Sequence, residues 1–299
     1  MSKQFIVMYH SISSKENPAV VGSFPTKLDT FKKHIMIAKK LGYKFDFISN
    51  LNENINSNKK ILYITGDDGT VDWSRNILPW CEENEIPTHT GVITGPFLKN
   101  KIYPLTHLIQ IILEKREISK LELLSKKLKE NYLNNEQLKY INKIYEYETL
   151  EYRRIIKGAF NLILDNDKAH DLIGEFSEKE IQLLENRFEK LDYYKQFKYA
   201  EIGVHTKSHC ALGTDIQWYI KEEILEAKKF LIENGLTPTK YFVSPMKPRY
   251  GSTLKMIEEE LKKNGFQGIL DSHHGVWDRN SFIIPRIDAK NIENILLSD

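Results

Sequence analysis

A chain of 299 residues that is 41% hydrophobic and 28% charged reads as an ordinary globular sequence, long enough for one large core or a core carrying an insertion. A formal charge of +2, with Lys and Arg interspersed among Asp and Glu, excludes a dedicated nucleic-acid partner, and two cysteines (Cys81 and Cys210) exclude a disulfide framework. No apolar run approaches the ~20 residues of a membrane span. The opening apolar run 5–9 is too short for a signal-peptide core and is followed by polar His10-Ser11, so the expected location is the cytoplasm.

In chain order, 5–9 reads as a strand and 13–26, with Ser, Asn, Pro and Gly, as an irregular loop. Leu28, Phe31, Ile35, Ala38 and Leu41 recur at helical spacing, and Gly42 ends that helix. A short strand is expected over 44–49 and an Asn-rich loop over 50–60. A strand over 61–65 leads to an acidic end. The helix after it, about 73–84, contains Pro79, which predicts a kink or a late start. A strand over 88–94 is closed by Gly95-Pro96. From about Leu98 to Lys198 the chain is rich in Leu, Ile, Lys, Glu and Asn and nearly free of Gly and Pro, with repeated amphipathic stripes. This reads as a helical insertion, 98–199, in a domain made of 1–97 and 200–299. Strands resume over 201–204, 241–243, 268–270 and 282–284. The helices between them, 218–234 and 254–264, stop at Gly235 and Gly265. Such alternation indicates an α/β domain with a parallel sheet, open or closed into a barrel, whose active site lies at the carboxyl ends of the strands.

Two constellations fall at such ends. Thr65-Gly66-Asp67-Asp68-Gly69 closes the strand 61–65, and two adjacent carboxylates in a cleft need a proton, a cation or solvent to relieve their repulsion. His205-Thr206-Lys207-Ser208-His209 follows another strand, and on a helical turn its histidines would share one side. Two histidines and one carboxylate with open positions suit Zn²⁺, Fe²⁺ or another divalent first-row metal. Either motif alone is ambiguous; their joint placement after strands is not easily explained by folding.

The chain resembles the NodB-homology polysaccharide deacetylases (carbohydrate esterase family four). Their T-F-D-D-G motif is matched by 65–69 and H-[ST]-x-x-H in full by 205–209. Met8-Tyr9-His10-Ser11-Ile12 is similar to the family's Y-H-x-I opening. Ser244-Pro245 with Tyr250-Gly251 resembles a loosened third motif, and Ile284-Pro285-Arg286-Ile287 a late L-P-R-I segment. The resemblance implies a distorted (β/α) barrel and a metal-dependent hydrolase that removes N-acetyl groups from a sugar or glycan intermediate. Asp68, His205 and His209 would hold a divalent metal: Zn²⁺ first, with Fe, Co, Ni or Mn as alternatives. Asp67 would be the general base toward water and Arg286 its partner. Pro245, Tyr250, Gly251 and Trp277 would contact substrate.

The departures are instructive. Gly66 stands where the family has Phe, and Pro87-Thr88-His89-Thr90-Gly91-Val92 lacks two further aromatics, so a repacked interior is expected. The family's late general-acid histidine has no visible counterpart; His273 and His274 are substitutes, and His10 is another. His34, His107 and His170 lie in helices and receive no role. Other readings are an O-acetyl esterase, an amidohydrolase on a non-sugar substrate, and a non-catalytic carbohydrate-binding relative. Retention of Asp67 speaks against the last.

Overall fold

The computed structural model describes residues 4–16, 25–55, 57–164, 166–173, 178–212, 215–246, 250–275, 277–278 and 281–298. Among these, the apolar runs pair in parallel as β1 (Gln4–Tyr9), β2 (Ile61–Gly66), β3 (Thr88–Val92), β4 (Ala200–Val204), β5 (Pro238–Val243), β6 (Gly268–Asp271), β7 (Ile283–Pro285) and β8 (Ile287–Asp288). Their order across the sheet is β7-β6-β5-β4-β3-β2-β1-β8. The two end strands of that order, β7 and β8, are separated in the chain by Arg286 alone. The backbone therefore spans the gap itself, and the eight strands make a nearly closed barrel.

Side-chain alternation along each strand sorts the residues into two layers. Ile6, Tyr63, Tyr241, Val243, Leu270 and Ile284 pack together inside the barrel. Their strand neighbours Val7, Leu62 and Ile64 pack outward with α1 (Leu28–Lys40) and α2 (Val71–Glu83). On the other side Ile202, Val204 and Phe242 pack against Ile220, Ile224 and Leu231 of the helical run Ile216–Trp218, Tyr219–Leu225 (a π-helical stretch) and Glu226–Glu233. Continued by one step past the strand ends, the inward register is that of Asp67, His205 and Arg286.

Several boundaries differ from expectation. The strand over 44–49 is only Lys44–Phe45. The Asp46 carboxylate accepts from the Phe47 N–H, Asn50 Nδ2 and Asn54 Nδ2, winding the chain into the turn Ile48–Asn50 and the short helix Leu51–Asn54. Ile48 and Leu51 then join the interior cluster. α2 begins early, at Val71, and runs through Pro79. A final helix, Ala289–Leu297, follows the last expected strand; Asp288 caps it and it buries Ala289, Ile292 and Leu296.

Between β3 and β4 the described residues form helices from α3 (Leu105–Lys115), which follows the 3-10 turn Gly95–Phe97, to Leu191–Tyr194. Ile112, Leu128, Ile141, Ile156 and Phe160 form an apolar core of this segment's own. Among the described residues no helix is long and apolar enough to cross a membrane.

Candidate metal centre and active site

Asp67 and Asp68 leave the end of β2 in different directions because the backbone turns left-handed, with φ of 71° at Asp68 and 69° at Gly69. Glycine adopts this region freely and aspartate tolerates it better than most residues. The tail of the helical segment clamps this turn. Val71 N–H donates to Arg187 O (2.9 Å), Glu189 N–H to Gly69 O (3.1 Å) and the Tyr194 hydroxyl to Gly69 O (3.2 Å).

Asp67 is buried in a forked ion pair: Arg286 Nη1 donates to Oδ1 (2.6 Å) and Nη2 to Oδ2 (2.8 Å). Arg286 is held in turn by Thr65 Oγ1 (3.2 Å) and the Asp271 carbonyl (3.1 Å). Burial opposes ionisation of Asp67, but the Arg286 charge, with His205 behind it, outweighs burial and keeps the carboxyl below its ordinary value.

Asp68 faces histidines instead. His205 Nε2 and His209 Nε2 each lie 3.3 Å from Oδ1, and His107 Nε2 lies 3.3 Å from Oδ2. Burial would push this carboxyl up, but the imidazoles beside it, His107 and His205 foremost, hold it well below the usual carboxylate range. Burial pushes His209 down to about 3, so its ring is neutral, as a ligand must be.

The donor set fits a divalent cation. His205 Nδ1 contacts the Val243 carbonyl at 2.9 Å; a carbonyl only accepts, so in the neutral ring, the form that binds a cation, Nδ1 carries the proton and Nε2 presents a lone pair. Nε2 and Asp68 Oδ1 are both buried without a hydrogen-bond partner, two acceptors turned on one another. Metal–ligand bonds of about 2.0–2.1 Å at tetrahedral angles would place donor atoms roughly 3.4 Å apart. The ligand atoms of Asp68, His205 and His209 lie within 4.8 Å of one another.

The two histidines are not brought together by a helical turn. Residues 205–209 form a loop in which Thr206 (φ 64°) and His209 (φ 59°) are left-handed. Buried Glu223 pins it, accepting from Lys207 N–H (3.1 Å), Ser208 N–H (2.8 Å) and Ser208 Oγ (2.9 Å); Thr206 Oγ1 accepts from His209 N–H (2.9 Å). Glu223 comes from the π-helical stretch, and neither it nor His107 was assigned from the sequence.

Around the rim, half-exposed His10 places Nε2 4.0 Å from Asp67 Oδ2. His273, also half-exposed, is anchored through Nδ1 to buried Asp271 Oδ2 at 2.6 Å. Pro245 is buried just past β5, Tyr250 donates to Ser244 Oγ (3.4 Å), and exposed Gly251 opens the turn Gly251–Thr253. Trp277 packs on the interior apolar cluster, donates Nε1–H to Ser281 O (3.3 Å), and lines a small cavity with Gln4, Phe5, Gly275, Pro285 and Ile287.

Gly66 has a specific cause. A Cβ there would sit 2.1 Å from the Trp73 indole of α2, whose Nε1 donates to Thr90 Oγ1 (3.0 Å). The missing aromatic is replaced by one arriving from the helical layer. Inside, His89 fills the space beside Gly203, where a Cβ would lie 2.5 Å from its ring, and His89 Nε2 bonds Thr239 Oγ1 (2.9 Å).

No protein-family model matches the sequence, and no curated sequence does. Solved structures match in fold. The Streptococcus pyogenes deacetylase PplD, in complex with acetate, gives a TM-score of 0.54 at 15% identity, covering 98% of each chain. A de-N-acetylase from Aggregatibacter actinomycetemcomitans gives 0.54 at 13%, covering 97% of this chain and 98% of its own. IcaB from Ammonifex degensii gives 0.52 at 12%, covering 99% and 97%. At these identities the likeness is one of architecture: the chain has the (β/α) barrel fold of the polysaccharide deacetylases, the family its motifs resemble.

Proposed function

We propose that the protein is a metal-dependent hydrolase that removes N-acetyl groups from an amino sugar or glycan, through a barrel domain of residues 1–97 and 200–299 interrupted by a helical insertion, 98–199. The observation that carries this reading is the contrast at the end of β2. An ionised Asp67 is locked to Arg286, beside an Asp68–His205 pair whose buried acceptors face each other with no donor between them.

Asp68, His205 and His209 would hold the cation, with Zn²⁺ the first choice for this donor set. A divalent cation bound there would lower the pKa of water and polarise the acetyl carbonyl. Asp67 has the part of general base. Each carboxylate oxygen retains a lone pair beyond the one taken by Arg286, so it can receive a proton from water without leaving its anchor. Arg286 keeps it ionised and fixes its plane. His10 is the proton donor to the departing amine, because its open ring places Nε2 4.0 Å from the base. His273, oriented by Asp271, is the second candidate for that step. Pro245, Tyr250 and Gly251 form the wall against which the sugar would rest.

The test is metal analysis of the purified protein together with acetate release from N-acetylglucosamine oligomers. The wild type is expected to carry about one divalent ion per chain and to release acetate. Asp67→Asn should keep the ion and lose about 10²–10⁴-fold in rate, the usual worth of a general base. A metal-loaded wild type that releases no acetate from any N-acetylated sugar would overturn the reading. Release only from O-acetylated substrates would make it an esterase using the same residues.

A further inference from the structure

We propose that the first turn of α3 is the outer shell of the metal centre: His107 fixes the ligand carboxylate of Asp68 and Thr106 fixes the ligand imidazole of His209. This rests on the metal-site reading above and adds to it two positioning residues that come from the helical segment rather than from the barrel.

Thr106 and His107 are consecutive residues near the start of α3, so their side chains diverge by about 100° around the helix axis and reach two different partners. Thr106 Oγ1 lies 3.1 Å from His209 Nδ1, leaving His209 Nε2 to face Asp68 Oδ1 at 3.3 Å. His107 is 2% exposed, and its Nε2 lies 3.3 Å from Asp68 Oδ2, whereas His205 and His209 each place Nε2 3.3 Å from Oδ1.

His107 could be a further ligand or a hydrogen-bond donor, and two observations favour the donor. Its ligand atom falls outside the group formed by Asp68, His205 and His209. Its Nδ1 is buried with no hydrogen-bond partner, whereas His205 has a carbonyl on its Nδ1. A bare N–H buried without an acceptor is the costlier orphan, so the proton belongs on Nε2, where it points at Asp68 Oδ2. Donation there reserves Oδ1 for the cation and stops the carboxylate rotating.

The position of His107 is itself built in. Arg187 Nη1 donates to the His107 carbonyl (3.1 Å) and Nη2 to Gln110 Oε1 (2.8 Å), and Phe188 packs against the imidazole with ring centroids 5.0 Å apart. Phe188 also bridges in antiparallel fashion to Thr70, two residues past Asp68. Both ends of the helical segment therefore converge on the same carboxylate.

The experiment measures metal affinity of the full chain by competition with a chromophoric chelator, using Zn²⁺ and Co²⁺, for wild type, His107→Ala, His107→Gln, Thr106→Val and Thr106→Ser. Circular dichroism of each metal-free form reports folding. His107→Ala and Thr106→Val are expected to weaken binding about 10–100-fold, the usual effect of losing such a partner. His107→Gln, whose amide can still donate, and Thr106→Ser should recover most of that loss. The Co²⁺ visible spectrum should be the same in His107→Gln and wild type. A spectrum showing loss of a nitrogen ligand in His107→Gln would overturn the positioning role in favour of direct ligation. Wild-type affinity in folded His107→Ala and Thr106→Val would overturn the proposal while leaving the metal site intact. A wild type that binds neither ion would instead remove the metal-site reading itself.

Discussion

Asp67 and Asp68 leave the same strand one residue apart, are almost equally buried, and have opposite surroundings. Asp67 has its counter-charge within the chain, a guanidinium with both prongs on the carboxylate. Asp68 has neutralisable imidazoles and an oxygen with no partner. A left-handed residue between a strand and a glycine is enough to separate them. One acid is kept ionised by an arginine; the other is surrounded by groups that can also exist neutral, as the proposed cation site would require.

Asp68→Ala breaks the contrast most severely. It should abolish stoichiometric metal binding, read by elemental analysis, and with it all turnover, whereas Asp67→Asn keeps the metal. Equal metal content in the two variants would erase the distinction. Arg286→Met tests the other side. It leaves a buried carboxylate unpaired, which typically costs about 3–5 kcal/mol, measured by urea unfolding. Because the Asp67 pKa is lowered in the folded state, the pair's contribution is fully present above the unfolded value of about 4. It is lost as pH falls through the folded value, so the stability gap between wild type and Arg286→Met should close in acid and stay open at neutral pH. The smallest effect is expected from Gly66→Ala, whose Cβ would collide with the Trp73 indole. Overpacking of this kind costs about 1–3 kcal/mol, and it should shift both acids together, lowering activity without selective loss of metal.

Much of this site was legible in the chain because period-two alternation carries past the strand ends. Asp67, His205 and Arg286 continue the inward register of Thr65, Gly203 and Ile284, and strands were the readable elements. The histidine loop reads as a helical turn because H-x-x-x-H spacing is local, whereas the loop's left-handed residues depend on Glu223, outside that motif. His107 is hard to read in the sequence for a similar reason. It sits beside Leu108 and Ile109 on an apolar helix, and nothing local says which group it meets. One signal was available: a histidine in so apolar a stretch will be buried, and a buried imidazole needs a partner. The helix at 289–297 carried its own periodicity in Ala289, Ile292 and Leu296 and could have been read.

Arg286 is also the residue at which the backbone passes from one edge of the sheet to the other, and its partner Asp67 lies 219 residues earlier. Asp67 gains its counter-charge only when the first and last strands meet. Contacts of such long sequence separation form late, because the entropy of closing the intervening chain is lost before they reward it. A refolding chain should therefore assemble the Asp68 side, drawn from residues 68–209, before the Asp67 side. Competence to bind metal would appear ahead of competence to turn over, and closing the ring of strands would be the step that switches the second one on.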